Sequence, residues 1–189
     1  MSQVKPYRRI DVLIAILALA AIAMSLWNLH AATQGVDRSY VTVGTTPVTV
    51  YRPAQGGPAP VVLIAHGFAG SQQLMQSFAL AFARNGYIAV TFDFAGHGRN
   101  PQPMTGNITR EDGATRSLLA ETLAVADFAR GLGDGRLAVL GHSMASDIIV
   151  RFAQAAPDVA ATIAVSMFSP VVTATSPRNL LVITGEWEG

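Results

Sequence analysis

The chain reads as an α/β protein: a doubly wound, mostly parallel sheet preceded by an N-terminal transmembrane helix. Three observations predict this. Short apolar runs at 61–65, 87–92, 137–140, 161–166 and 180–184 are separated by connecting segments, three of them with helical periodicity. Two β-prone runs between Ser39 and Tyr51 come first, split by Gly44-Thr45-Thr46. Ahead of both lies an almost wholly apolar stretch from Val12 to Leu29, broken only by Ser25 and Asn28.

A helix of about 18 such residues rises roughly 27 Å, close to the thickness of a bilayer's hydrocarbon core. Lys5, Arg8 and Arg9 flank it on the N-terminal side. Those charges favour a cytoplasmic N-terminus and a domain on the opposite side of the membrane. The expected organisation is a cytoplasmic tail over 1–9, a transmembrane anchor over 10–30 and a folded, extracytoplasmic domain over 38–189. A cleaved signal peptide shares the basic start but usually carries an apolar run of about 7–15 residues. The exit Asn28-Leu29-His30-Ala31-Ala32 places Leu29 or His30 where a small residue belongs, so the anchor is the preferred reading. A buried core helix is the third.

Of 189 residues, 50% are hydrophobic and 13% charged, a balance that excludes a disordered chain and allows one domain with a sizeable core. The net charge is +1 and the basic residues are scattered, so no nucleic-acid partner is expected. The absence of cysteine rules out disulfides, thiolate metal ligands and a cysteine nucleophile, and leaves the redox compartment open.

The β-prone runs at 39–51 predict a hairpin. Residues 53–60, rich in Pro and Gly, form a loop into the strand Val61–Ala65, whose unbroken apolar character suits burial on both faces of a parallel sheet. Leu74, Phe78 and Phe82 recur at helical spacing before Asn85-Gly86, predicting a helix over 71–85. Further helices are expected over 112–132 and 145–156. Right-handed crossovers would make the sheet doubly wound, with the hairpin as an antiparallel edge. The polar stretch 98–116 reads equally as a loop over a cleft or as a plain surface connection.

Chemistry concentrates where strands give way to helices, the edge at which ligands collect in open α/β sheets. Gly141-His142-Ser143-Met144-Ala145 lies at one such junction. It resembles the nucleophile elbow of the α/β-hydrolase family, a turn so sharp that the residues two before and two after the serine must be small. Ala145 departs from the glycine of the family's pattern but stays small. At the earlier junction, His66-Gly67-Phe68-Ala69-Gly70-Ser71 resembles the family's H-G-x oxyanion loop. Without the resemblance it is an ordinary turn with a satisfied histidine. The resemblance implies that the backbone N–H groups of Phe68 and Met144 face the developing oxyanion. Asp93-Phe94-Ala95-Gly96-His97-Gly98 is similar to the family's D-x-x-G-x-G loop, for which a structural role is expected and none in catalysis for His97. In the family the triad acid commonly falls three residues after a glycine like Gly185, which is Glu188 here. Glu186 is a weaker candidate, and a solvated carboxylate is the alternative.

A serine at neutral pH needs a neighbouring base. The resemblance implies the order Ser, acid, His, yet His30, His66, His97 and His142 all precede Ser143. A histidine beyond Gly189 is therefore expected, the 189 residues being a fragment of a longer protein. The function implied is a serine hydrolase acting on ester or related acyl bonds through an acyl-enzyme, on a small-molecule or lipid-like substrate, with no cofactor or metal. A non-catalytic, membrane-anchored binding protein of the same fold is the rival. Nucleotide binding is disfavoured, because Gly67-Phe68-Ala69-Gly70 lacks the G-x-G-x-x-G spacing and Lys5 is the only lysine. Gly131–Gly135 precedes a strand and reads as a turn.

Overall fold

The computed structural model describes residues 9–107, 113–167, 176–177 and 179–186. It divides into two units, one ending at Gln34 and one beginning at Gly35. The first is a single helix, α1 (Arg9–Thr33), long and apolar enough to cross a membrane, with no buried residue. The stretch predicted as a membrane anchor lies inside it.

The second unit runs β1 (Val36–Val43), β2 (Thr46–Pro53), β3 (Val61–Ala65), α2 (Gln76–Arg84), β4 (Ile88–Phe92), α3 (Ala114–Arg130), β5 (Leu137–His142), α4 (Met144–Ala155), β6 (Val159–Val165) and β7 (Leu180–Ile183). The seven strands form one sheet in the order β1-β2-β4-β3-β5-β6-β7. β1 and β2 make the expected hairpin, and β2 pairs antiparallel with β4. From β4 to β7 every pairing is parallel. The sheet is mixed and mostly parallel, as the alternation of strands and helices requires.

Period-two alternation assigns the side chains of the central strands to two separate cores. Val61, Leu63 and Ala65 of β3 join Val90, Phe92, Val139 and the inner faces of α3 and α4. Val62 and Ile64 point the other way, toward Met75, Ala79, Leu80 and Ala83 at α2. This second face is covered unevenly. Ile163 and Val165 of β6 are half-buried, and Leu181 and Ile183, their partners in register on β7, are exposed.

One element begins later than its periodicity predicts. Residues 71–75 precede α2 as tight turns, with Leu74, Met75 and Gln76 N–H groups donating three residues back, to Ser71, Gln72 and Gln73. The buried Asp93 carboxylate accepts the Gln72 N–H at 2.8 Å, so the segment is capped by a side chain from another strand end.

The Gly131–Gly135 run is the turn that the sequence predicts. It sits at the edge where β3 and β5 begin, opposite the edge carrying Ser143, with Asp134 N–H donating to the Ala59 carbonyl at 3.1 Å. A Cβ on Gly133 would overlap that same carbonyl oxygen and stand 2.7 Å from Val61 Cγ2. Gly133→Ala should therefore destabilise the domain by about 1–3 kcal/mol, read as a lower urea midpoint at an unchanged slope. An unaltered midpoint would mean that this turn yields freely.

Candidate active site

The turn between β5 and α4 holds Ser143 at φ 52, ψ −123. A non-glycine residue on the positive-φ side costs on the order of 1–3 kcal/mol and persists only where its surroundings impose it. The surroundings here are explicit. Ser143 N–H donates to the Val165 carbonyl at 2.8 Å, and Ser146 N–H donates back to the Ser143 carbonyl at 2.8 Å. Gly141 has no room for a side chain: an added Cβ would overlap the Ala145 carbonyl and stand 2.7 Å from Ile149 Cγ1. The crowding explains the small residues flanking Ser143 at a distance of two, and Ala145 itself is fully buried without conflict.

The loop after β3 meets this turn. A Cβ on Gly67 would stand 2.9 Å from Ser143 Cβ and 3.1 Å from both Nδ1 and the carbonyl oxygen of His142. Only a glycine lets the two backbones come so close. Next to it, Ala69 has φ 57. With Ser166, at φ 51 just beyond β6, the three positive-φ non-glycine residues of the described chain all follow strands at this one edge.

His66 is fully buried and both ring nitrogens are engaged. Phe94 N–H donates to Nε2 at 3.1 Å, so the proton sits on Nδ1, which donates to the Gly67 carbonyl at 2.8 Å. Burial holds its pKa below the ordinary histidine range, against the raising effect of the Gly67 bond. The same carbonyl also accepts Gly70 N–H at 3.0 Å. In a trans peptide the carbonyl and the following N–H point in opposite directions, so fixing the Gly67 oxygen turns the Phe68 N–H away from His66. Met144 is the first residue of α4, where backbone N–H groups lack intrahelical partners and the helix end carries partial positive charge. Among the described residues neither amide donates a hydrogen bond within the protein. A hydroxyl on a strained turn, with a backbone donor at the adjoining helix N-terminus, is an arrangement that acyl transfer can use.

A cavity of about 270 Å³ opens beside the loop, walled by Phe68, Leu74, Met75 and Phe78 with His66 and His142. On the other side lies the 93–104 loop, where Gly96 and Gly98 take φ 77 and φ 54, the glycine-permitted angles expected of it. His97 packs edge-on against Phe68, with ring centroids 5.6 Å apart, and its Nδ1 lies 2.9 Å from the Ala95 carbonyl. The polar stretch from 98 onward begins folded back on the 93–97 segment, with Met104 packed on Gly96 and Arg99 N–H donating to Asp93 at 3.0 Å. Glu121 of α3 braces it by accepting the Ala95 N–H at 3.0 Å, and burial pushes that carboxyl above its ordinary range.

Of the predicted site residues, Ser143 and Met144 share the elbow, and Gly67, the neighbour of Phe68, lies against Ser143. Glu188 lies outside the described residues, and Glu186 falls just beyond β7. Sequence reasoning did not find Gln72, Glu121 or Ser166. Gln72 and Glu121 carry no local signal, because their partners lie 21 and 26 residues away. The backbone of Ser166 is unusual only in three dimensions.

Known proteins share this fold. Among solved structures, a hypothetical protein of Pseudomonas aeruginosa, PA2218, superposes with a TM-score of 0.61 at 18% identity, over 71% of this chain and 44% of that one. The thioesterase domain of the curacin biosynthetic pathway matches at 27% identity and a TM-score of 0.53, over 70% of this chain and 44% of that one. The Vigna radiata epoxide hydrolase VrEH1 matches at 24% identity and a TM-score of 0.53, over 70% of this chain and 39% of that one. The chain thus spans about two-fifths of the length of these structures. The family model described as serine aminopeptidase, S33, matches residues 56–186, well over half of the chain. On that match, the chain belongs to the serine aminopeptidase S33 family of α/β-hydrolases.

Proposed function

We propose that the protein is a serine hydrolase acting on ester or related acyl bonds, with Ser143 as nucleophile and the Phe68 and Met144 amides as oxyanion donors. The observation that carries this reading is the strained Ser143 turn packed against Gly67. Ser143 attacks the acyl carbon, the two amides stabilise the tetrahedral oxyanion, the leaving group departs with a proton, and water releases the acid from the acyl-enzyme. The apolar wall of Phe68, Leu74, Met75 and Phe78 supports a small-molecule or lipid-like acyl substrate. Likeness to a thioesterase domain agrees with acyl chemistry.

The base is the part that the described residues do not supply. His66 is buried, neutral and bonded at both nitrogens. His30 belongs to α1, His142 ends β5, and His97 is turned onto the Ala95 carbonyl. We therefore place the general base on a histidine beyond Gly189, oriented by Glu188. The exposed Leu181 and Ile183, on the sheet face that α2 leaves open, support further chain packing there. A non-catalytic binding protein would need neither the Ser143 strain nor the free amides. We further propose that α1 anchors the protein in a membrane with the hydrolase domain outside the cytoplasm.

A fluorophosphonate probe should label Ser143 in the full-length protein and not in Ser143→Ala; equal labelling of both would place the nucleophile elsewhere. Purified residues 1–189 should turn over p-nitrophenyl acetate at least about 10⁴-fold more slowly than the full-length protein, and comparable rates would put the base within these residues.

The depressed pKa of His66 gives a third expectation. Above about pH 6.5 the imidazole is neutral in both folded and unfolded chains and its protonation has no effect on stability. Below that value the unfolded chain takes up a proton that the folded one refuses, so stability falls with pH until the folded pKa is reached and then levels off. The His66 imidazole resonances should accordingly titrate below the ordinary histidine range. Titration with a midpoint at or above about 6.5 would contradict its placement.

A further inference from the structure

We propose that Asp93 is a positioning residue for the oxyanion donor, gripping the far end of the 66–72 loop through Gln72 while its neighbour Phe94 grips the near end; the inference rests on the hydrolase reading above. Asp93 is fully buried. One of its carboxylate oxygens accepts the Gln72 backbone N–H at 2.8 Å. The other accepts Gln72 Nε2 at 2.6 Å and the Arg99 backbone N–H at 3.0 Å, with Arg99 Nε 4.0 Å away.

The Gln72 side chain has a single orientation. Its carbonyl oxygen accepts the hydroxyls of Thr49 and Thr91, which leaves the amide nitrogen for Asp93 and, at 3.4 Å, the Pro47 carbonyl. Phe94, next along the chain, donates its N–H to His66 Nε2. Two consecutive residues at the end of β4 therefore hold both ends of the segment in which the Phe68 amide lies. Between those ends the Gly67 carbonyl is fixed by His66 and Gly70, and Ala69 is strained. A strained backbone keeps its geometry only while its ends are held.

Gly98 shows how closely the structure is built around this carboxylate: at φ 54, an added Cβ would stand 2.6 Å from Asp93 Oδ2. The carboxylate touches neither Ser143 nor the cavity beside it, so its effect on the reaction passes through the loop.

The test separates positioning from folding by counting competent sites. In the full-length protein, Ser143 is titrated with a fluorophosphonate, and kcat and KM for p-nitrophenyl butyrate are expressed per labelled site. Asp93→Asn turns an amide nitrogen toward the donors on Gln72 and Arg99. It should lower kcat per labelled site about 10–100-fold, with KM within about threefold, since loss of an oxyanion donor lowers kcat by up to about 10²–10³. Adding Gln72→Glu to this variant places a carboxylate acceptor opposite the introduced amide, and the double variant should recover at least about tenfold. Should Asp93→Asn fail to fold, Thr49→Val loosens the Gln72 amide while keeping the carboxylate, and should lower kcat severalfold at constant KM.

A kcat per labelled site that stays at the wild-type value in Asp93→Asn, or in Thr49→Val where it alone folds, would overturn the proposal. So would the absence of any recovery in the double variant. A wild-type protein whose Ser143 takes no label would instead remove the hydrolase reading itself, and the inference with it.

Discussion

The close approach of Gly67 to Ser143 is the constraint on which the rest of the domain depends. Two backbones can meet at that distance only if one has no side chain and the other turns through an angle that serine rarely adopts. Everything nearby enforces the meeting. β3 and β5 are neighbours in register from Val61↔Leu137 to Ala65↔Gly141, so the loops that follow them leave the sheet side by side. α4 packs at once against the sheet, with Ala145, Ile149 and Val150 fully buried, and that packing lets the turn remain strained.

The order of strands explains why the Ser143 turn and the loops packed on it collect at this edge. β4 lies to one side of β3 and β5 to the other, so the crossovers through α2 and α3 fall on opposite faces of the sheet. The edge between them is where strand-following loops diverge and leave a crevice. Three such loops meet here: the one after β3 with the Phe68 amide, the one after β4 with the buried Asp93 carboxylate, and the one after β5 with the Ser143 hydroxyl. The first two are cross-linked through Gln72 and His66, whereas the third meets the first through contact alone. A cross-linked pair of loops thus packs against a serine whose own geometry is strained.

What was legible in the sequence was local. The strand runs and most helices appear where periodicity puts them, and the Gly141–Ala145 and His66–Ser71 turns announce themselves because crowding leaves only small residues workable. What was not legible depends on distant partners. Nothing in the chain near Gln72 says that its amide will be taken by a carboxylate 21 residues on, which is why the helix expected from 71 begins at Gln76. Ser166 looks ordinary until β6 and β7 pin it, with its N–H donating to Ile183. The acid assigned to Glu188 comes from family register and lies outside the described residues.

In the proposed reaction Phe68 and Met144 donate to the oxygen that becomes negative when Ser143 reacts. A crystal structure of the full-length protein carrying a phosphonate on Ser143 tests it directly. The phosphonyl oxygen should lie about 2.7–3.1 Å from both amide nitrogens; an adduct whose oxygen faces solvent, or reaches neither amide, would contradict these donor roles.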